Sequence, residues 1–107
     1  MKEITAEDVE GLKHREEPEA VFFYTPLCGT CKWAGRMMEH LEKIYGDSSF
    51  FQADINQMPA IAREERIKSV PCLKVYQQGA NILTIYAFES VPSLLKRLHG
   101  LFTFSME

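Results

Sequence analysis

Several common features are missing from this chain, and each absence narrows what it can do. No apolar run approaches the roughly 18 residues of a membrane-spanning helix. There is no basic excess: 12 Lys and Arg stand against 15 Asp and Glu, for a net charge of −3. With no basic stripe either, the electrostatic footprint of nucleic-acid binding is missing. The start, Met1-Lys2-Glu3-Ile4, is polar and soon acidic, unlike a secretory leader. Cysteines number three, an odd count too uneven for a secreted disulfide scaffold. Closely spaced cysteines in a reducing cytosol are more often catalytic or metal-binding than structural, so a cytoplasmic protein is expected. No internal repeat, linker or low-complexity segment divides the 107 residues, which read as one domain over 1–107. At 46% apolar and 25% charged, that length holds a core without staples.

What is present alternates between helical and extended patterns. Thr5-Ala6-Glu7-Asp8 reads as a helix start, capped by Thr5 with Ile4 and Val9 as a hydrophobic staple, running to about Arg15. Ala20–Tyr24 is short, aromatic and continuously apolar, as in a strand buried on both faces. From Gly29 the period becomes helical: Ala34, Met37, Met38, Leu41, Ile44 and Tyr45 share a face, and Gly46 suits a left-handed cap. Phe50–Ile55 reads as a second strand, Pro59 to about Glu65 as a short helix, and Cys72–Tyr76 as a third strand. Gln77–Ala80 forms a turn into a fourth strand, Ile82–Tyr86, and Ser90–His99 a last helix. The order α, β, α, β, α, β, β, α predicts two parallel strands joined by a right-handed crossover, plus an antiparallel hairpin.

The chemistry concentrates at Cys28-Gly29-Thr30-Cys31, between the first of these strands and the long helix. Residues one helical turn apart have Cα atoms roughly 5–5.5 Å from each other, within reach of a disulfide. Such a pair opens and closes without unfolding the chain. The thiolate is the attacking species; a thiol of pKa ~8.5 is only about 3% ionised at pH 7. Unpaired N–H groups and a partial positive charge at a helix N-terminus stabilise an anion there. Gly29 permits close backbone approach and Lys32 adds a cation. Cys28 is therefore expected as the exposed attacking thiol and Cys31, one turn deeper, as the resolving thiol. The competing reading, half of a zinc site, needs two more ligands. Cys72 has no C-x-x-C partner, and His14, His40 and His99 show no paired spacing, so no metal is expected.

With these residues in view, the chain resembles the thioredoxin family over roughly Glu19 to Leu98. The most specific parts are Phe22-Phe23-Tyr24-Thr25-Pro26-Leu27-Cys28-Gly29-Thr30-Cys31-Lys32, Asp54-Ile55-Asn56-Gln57-Met58-Pro59 and Ser69-Val70-Pro71. The resemblance implies an α/β thioredoxin fold, a mixed sheet of four to five strands flanked by helices on both faces. It implies that Pro71 is cis and packs against the cysteines, and that the peptide group at Val70 pairs with substrate backbone. Leu27, Gly29, Thr30, Val70 and Pro71 would then contact substrate, supported by Lys32 and Trp33. The activity implied is thiol–disulfide exchange on protein disulfides, contributing to cell redox homeostasis. Electrons would come from a thioredoxin reductase, without a bound cofactor, and the chain would act as a monomer. A glutathione-linked, glutaredoxin-like enzyme also fits Ser69-Val70-Pro71. The Gly-Gly-Asp segment usual in that group is missing, however: Gln77-Gln78-Gly79-Ala80-Asn81 follows Tyr76. A binding module of the same fold with little turnover is a third reading.

Several positions depart from the family pattern. Leu27 stands where tryptophan is usual, and Thr30 where proline separates the cysteines. Phe22 matches a buried aspartate that helps move the proton of the deeper cysteine, and Gln52 matches a lysine near it. Cys31 is thus expected to lack its base, with Asp54 and Glu64 as possible substitutes. Gly35-Arg36 replaces the proline that commonly kinks the long helix. Cys72 reads as a buried apolar residue rather than a third redox thiol. Met37 and Met38 read as core, the three histidines as solvated, and Trp33 equally as groove wall or core edge. Leu101-Phe102-Thr103-Phe104 is expected to fold back onto the domain rather than to form a dimer patch.

Overall fold

The computed structural model describes residues 1–102. Five strands form one sheet in the order β1-β3-β2-β4-β5: β1 Lys2–Glu3, β2 Glu19–Tyr24, β3 Phe50–Asp54, β4 Cys72–Gln77 and β5 Ala80–Ile85. β1 and β2 run parallel to β3, while β4 runs antiparallel to both β2 and β5. Four α-helices cover it: α1 Ala6–Lys13, α2 Gly29–Tyr45, α3 Pro59–Glu64 and α4 Val91–Leu98. A 3-10 turn at Ile55–Gln57 links β3 to α3. This is the thioredoxin fold expected from the sequence. No helix among the described residues is long and apolar enough to cross a membrane.

Side-chain alternation along β2 divides the interior into two cores. Val21 and Phe23 face Val9 and Leu12 of α1 and Ile61 of α3. Ala20 and Phe22 face Ala34, Met38 and Leu41 of α2 and Leu94 and Leu98 of α4. A strand covered on both faces has no solvent side, which is why β2 reads as an unbroken apolar run. Each such large side chain, fully buried, contributes roughly 1.5–3 kcal/mol.

The ends of the elements follow local chemistry. Thr5 Oγ1 accepts from the Asp8 N–H at 3.3 Å and Asp8 Oδ2 accepts from the Thr5 N–H at 2.9 Å, a reciprocal capping box. Ile4 and Val9 are both buried, as the staple requires. Ser90 and Ser93 cap α4 in the same way. Some boundaries differ from expectation. β1 is absent from the sequence pattern; its two polar residues carry no apolar signal, and the strand exists through parallel pairing of Lys2 with Phe51 and Glu3 with Gln52. β5 begins at Ala80 and ends at Ile85, because the turn is only Gln78-Gly79 and the ladder starts on either side of it with Gln77 opposite Ala80. Gly46 has the expected positive φ (96°), but its ψ of 161° carries the chain out extended rather than left-handed. Leu101 and Phe102 fold back as expected: the Phe102 ring centroid lies 5.0 Å from that of Phe50 and 5.6 Å from that of Tyr45. Thr103 and Phe104 lie outside the described residues.

Candidate active site

The reactive pair sits where β2 has ended and α2 begins. Cys28 is the N-cap of α2, with extended backbone (φ −86°, ψ 111°). Its Sγ accepts the backbone N–H of Cys31 at 3.1 Å, so sulfur takes the position that a serine or aspartate oxygen fills at other helix starts. Thr30 Oγ1 lies 3.3 Å from the same sulfur. The Cys28 and Cys31 side chains are joined as a disulfide with Cα atoms 5.2 Å apart, inside the range that the spacing predicts. Cys28 is half-buried rather than fully exposed, and Cys31 is buried.

The opposite wall comes from the segment before β4. The Val70–Pro71 peptide is cis, as the resemblance implied. The Val70 carbonyl oxygen lies 3.9 Å from Cys28 Sγ. Of the other residues expected at the site, Leu27 projects almost wholly into solvent, at 99% exposure. Gly29, Thr30 and Lys32 are exposed, and Val70 and Pro71 half-buried. Trp33 is 66% exposed and is a groove wall rather than core edge. Met38 is core as expected, whereas Met37 is only half-buried and lines that same groove. Sequence reasoning missed the groove's other wall, Tyr86, Phe88 and Glu89. These residues follow β5 in a stretch without periodicity, and only the return of the chain toward Pro71 reveals their place.

The position where the family pattern has an acid is apolar here. Phe22 is buried, its ring edge-on to Phe88 at 5.8 Å and stacked on Tyr24 at 6.2 Å. A Cβ on Gly35 would meet that ring at 3.8 Å, so the glycine seats α2 against Phe22 at ordinary contact distance. Among the described residues no carboxylate hydrogen-bonds Cys31 Sγ. Asp54 instead accepts from the Asn56 N–H at 3.0 Å, and Glu64 is exposed. Gln52, which pairs in register with Phe22, donates to Glu3 Oε1 at 2.9 Å. The same oxygen accepts the Tyr24 hydroxyl at 2.6 Å. Burial, with that carboxylate second, pushes the Tyr24 hydroxyl up to about 12. A polar cluster thus persists at this edge of the sheet, with the carboxylate supplied by β1 and tied to Tyr24.

Cys72 begins β4 directly after Pro71 and is fully buried, with Val21, Phe23 and Tyr76 in the same core. Burial pushes its thiol up, against smaller opposing effects from Lys74 and Tyr86. It is an apolar core residue, as expected. His14, His40 and His99 are exposed.

The thioredoxin family model matches residues 3–99. The chain belongs to the thioredoxin family. It is 32% identical over 94 residues to the thioredoxin-like protein YusE of Bacillus subtilis, covering 88% of this chain and 87% of that one. It is 27% identical over 99 residues to thioredoxin 1 of Plasmodium falciparum, covering 92% and 93%. Among solved structures, thioredoxin from Plasmodium falciparum superposes with a TM-score of 0.79 at 27% identity, over 92% of this chain and 95% of that one. Oxidised mitochondrial thioredoxin 3 from Saccharomyces cerevisiae, at 24% identity, shares the fold with a TM-score of 0.78 over 90% and 91%. Family membership and the Cys28–Cys31 pair together make this protein a thiol–disulfide oxidoreductase that acts on protein disulfides.

Proposed function

We propose that Cys28 is the nucleophile of this thioredoxin-family protein and Cys31 the resolving thiol, and that the protein reduces protein disulfides in the cytoplasm. The position of Cys28 Sγ as the N-cap acceptor of α2 carries this reading. In the reduced protein the cap N–H, the helix dipole and the Thr30 hydroxyl all favour the thiolate over the thiol. The Cys28 thiolate attacks one sulfur of a substrate disulfide, forms a mixed disulfide and expels the other sulfur as a thiolate. Cys31 loses its proton and attacks Cys28 Sγ, which releases the second substrate thiol. The substrate gains two electrons and the protein is left as the Cys28–Cys31 disulfide.

Leu27, Gly29, Thr30, Val70 and Pro71 form the substrate face on this reading, in which the peptide group at Val70 pairs with substrate backbone. A thioredoxin reductase returns the electrons, and the protein works as a monomer in maintaining cell redox homeostasis. A free, buried Cys72 suits a reducing compartment. Because Phe22 occupies the place of the acid, Cys31 loses its proton without a neighbouring carboxylate. Resolution of the mixed disulfide is then slower at neutral pH than in thioredoxins that keep the aspartate.

Insulin reduction driven by a thioredoxin reductase, run beside a glutathione-coupled assay, tests the proposal. Activity in the first alone is expected; activity only in the second would favour the glutathione-linked reading, and activity in neither a binding module. The midpoint potential of the pair then gives the direction of electron flow, where 30 mV corresponds to about 1.4 kcal/mol.

A further inference from the structure

The Val70 wall of the site hangs from the short connection between α3 and β4. Its upstream end is tied to the core. Glu65, the C-cap of α3, accepts the Tyr76 hydroxyl at 2.9 Å through Oε1 and pairs with Lys13 Nζ at 2.6 Å through Oε2. Arg66 follows with a positive φ of 54°. A residue with a side chain rarely adopts that conformation, and it persists where the surroundings hold it. The Ile67 N–H donates to the Ala62 carbonyl at 3.0 Å. The downstream end joins the sheet at Cys72, which pairs with Phe23 of β2.

Between these ends a single side chain fastens the connection. Tyr86 follows directly on β5. Its hydroxyl accepts the Lys68 N–H at 3.1 Å and donates to the Arg66 carbonyl at 3.4 Å. One oxygen thus grips the chain at the left-handed residue and again two residues on. Among the described residues, the main chain from Lys68 to Val70 has no other partner except at the Val70 carbonyl, 3.9 Å from Cys28 Sγ. The clamp therefore lies two residues from the peptide group that borders the reacting sulfur. At 36% exposure the Tyr86 ring is not core, so its placement follows from these hydrogen bonds rather than from packing.

We propose that Tyr86 is a positioning residue for disulfide exchange: its hydroxyl fastens Arg66 and Lys68, and so holds the Val70 peptide group where substrate backbone pairs with it beside Cys28. The inference rests on the oxidoreductase reading, and on the pairing at Val70 within it. Without the hydroxyl, the span from Lys68 to Val70 loses its fastening while the Cys28 cap on α2 is untouched. Substrates that lay backbone on Val70 are weakened. A small disulfide that needs only the sulfur is not.

Tyr86→Phe deletes the hydroxyl and keeps the ring. Variant and wild type, reduced beforehand, are compared in single turnovers with a disulfide-linked peptide and with dithiobis(nitrobenzoate). The dithiol supplies both electrons. For the peptide, the concentration giving half the limiting rate should rise about fivefold, the worth of one neutral hydrogen bond, with the limiting rate changed less than about twofold. The rate with dithiobis(nitrobenzoate) should stay within about twofold. Without substrate, the Lys68 amide should exchange its hydrogen at least about fivefold faster in the variant. Equal slowing with both disulfides, a loss confined to the limiting rate, or an unchanged peptide reaction overturns the positioning role. A weakened peptide with Lys68 exchange unchanged places the hydroxyl on the substrate itself, and overturns it as well. All of these leave the oxidoreductase reading in place; failure of reduced wild type to reduce the peptide overturns both.

Discussion

Cys28 and Cys72 flank the same Val70–Pro71 peptide, and their sulfurs meet opposite conditions. Cys28 lies against the Val70 carbonyl, at a helix start that offers its sulfur an N–H and a hydroxyl. Cys72 opens a strand in the centre of the sheet, between β2 and β5, where burial raises its thiol. On the proposed roles, one residue type serves as a nucleophile or an inert filler according to which backbone element begins beneath it. Reactivity here belongs to the helix N-terminus as much as to the cysteine.

Replacement at the two positions should expose that contrast most sharply. Cys28→Ala should lower disulfide reduction by at least about 10³-fold, measured with insulin, since no other thiol holds the N-cap. Phe22→Asp probes the apolar side of the site. It should destabilise the protein by about 3 kcal/mol in urea unfolding, because a charge enters a packed core. It should also quicken release of the mixed disulfide near pH 7, followed by stopped flow. Wild type should show a release rate that climbs with pH as Cys31 ionises; a fast, pH-independent step near neutrality would contradict the missing base. Thr30→Val removes one hydrogen bond to the thiolate. It should shift Cys28 toward the thiol by about 1 kcal/mol, roughly fivefold in ionisation, read from thiolate absorbance across pH. Cys72→Ala should change turnover by less than about twofold and cost about 1 kcal/mol in stability. Iodoacetamide should label reduced Cys28 at neutral pH while sparing Cys72 in the folded protein.

Much of this contrast is legible without coordinates. The unbroken apolar run Ala20–Tyr24 followed by Cys28-Gly29-Thr30-Cys31 and a helical period marks a strand-to-helix junction, and with it the place of Cys28 at the helix start. Cys72 within an apolar strand reads as core for the same reason. The polar support of the site is harder to see. Glu3 reaches Tyr24 and Gln52 only because β1 pairs with β3, about fifty residues away, and a two-residue polar strand leaves no local pattern. The Trp33 groove is hidden in a related way. Met37 and Trp33 carry a helical period compatible with burial, but their exposure depends on how far the chain after β5 stands off α2. Periodicity reports which face of an element is apolar and is silent on gaps between faces.

The cap on α2 has a bearing on the cycle itself. Sulfur at the N-cap can accept the Cys31 N–H as a thiolate, and here it does so as one half of a disulfide. If the thiolate keeps that bond, the first turn of the 17-residue helix is anchored at the same atom before and after electrons pass. Little backbone would then have to be reorganised between the two redox forms, and the scaffold would work as a fixed electrode on which only a sulfur–sulfur bond is made and broken.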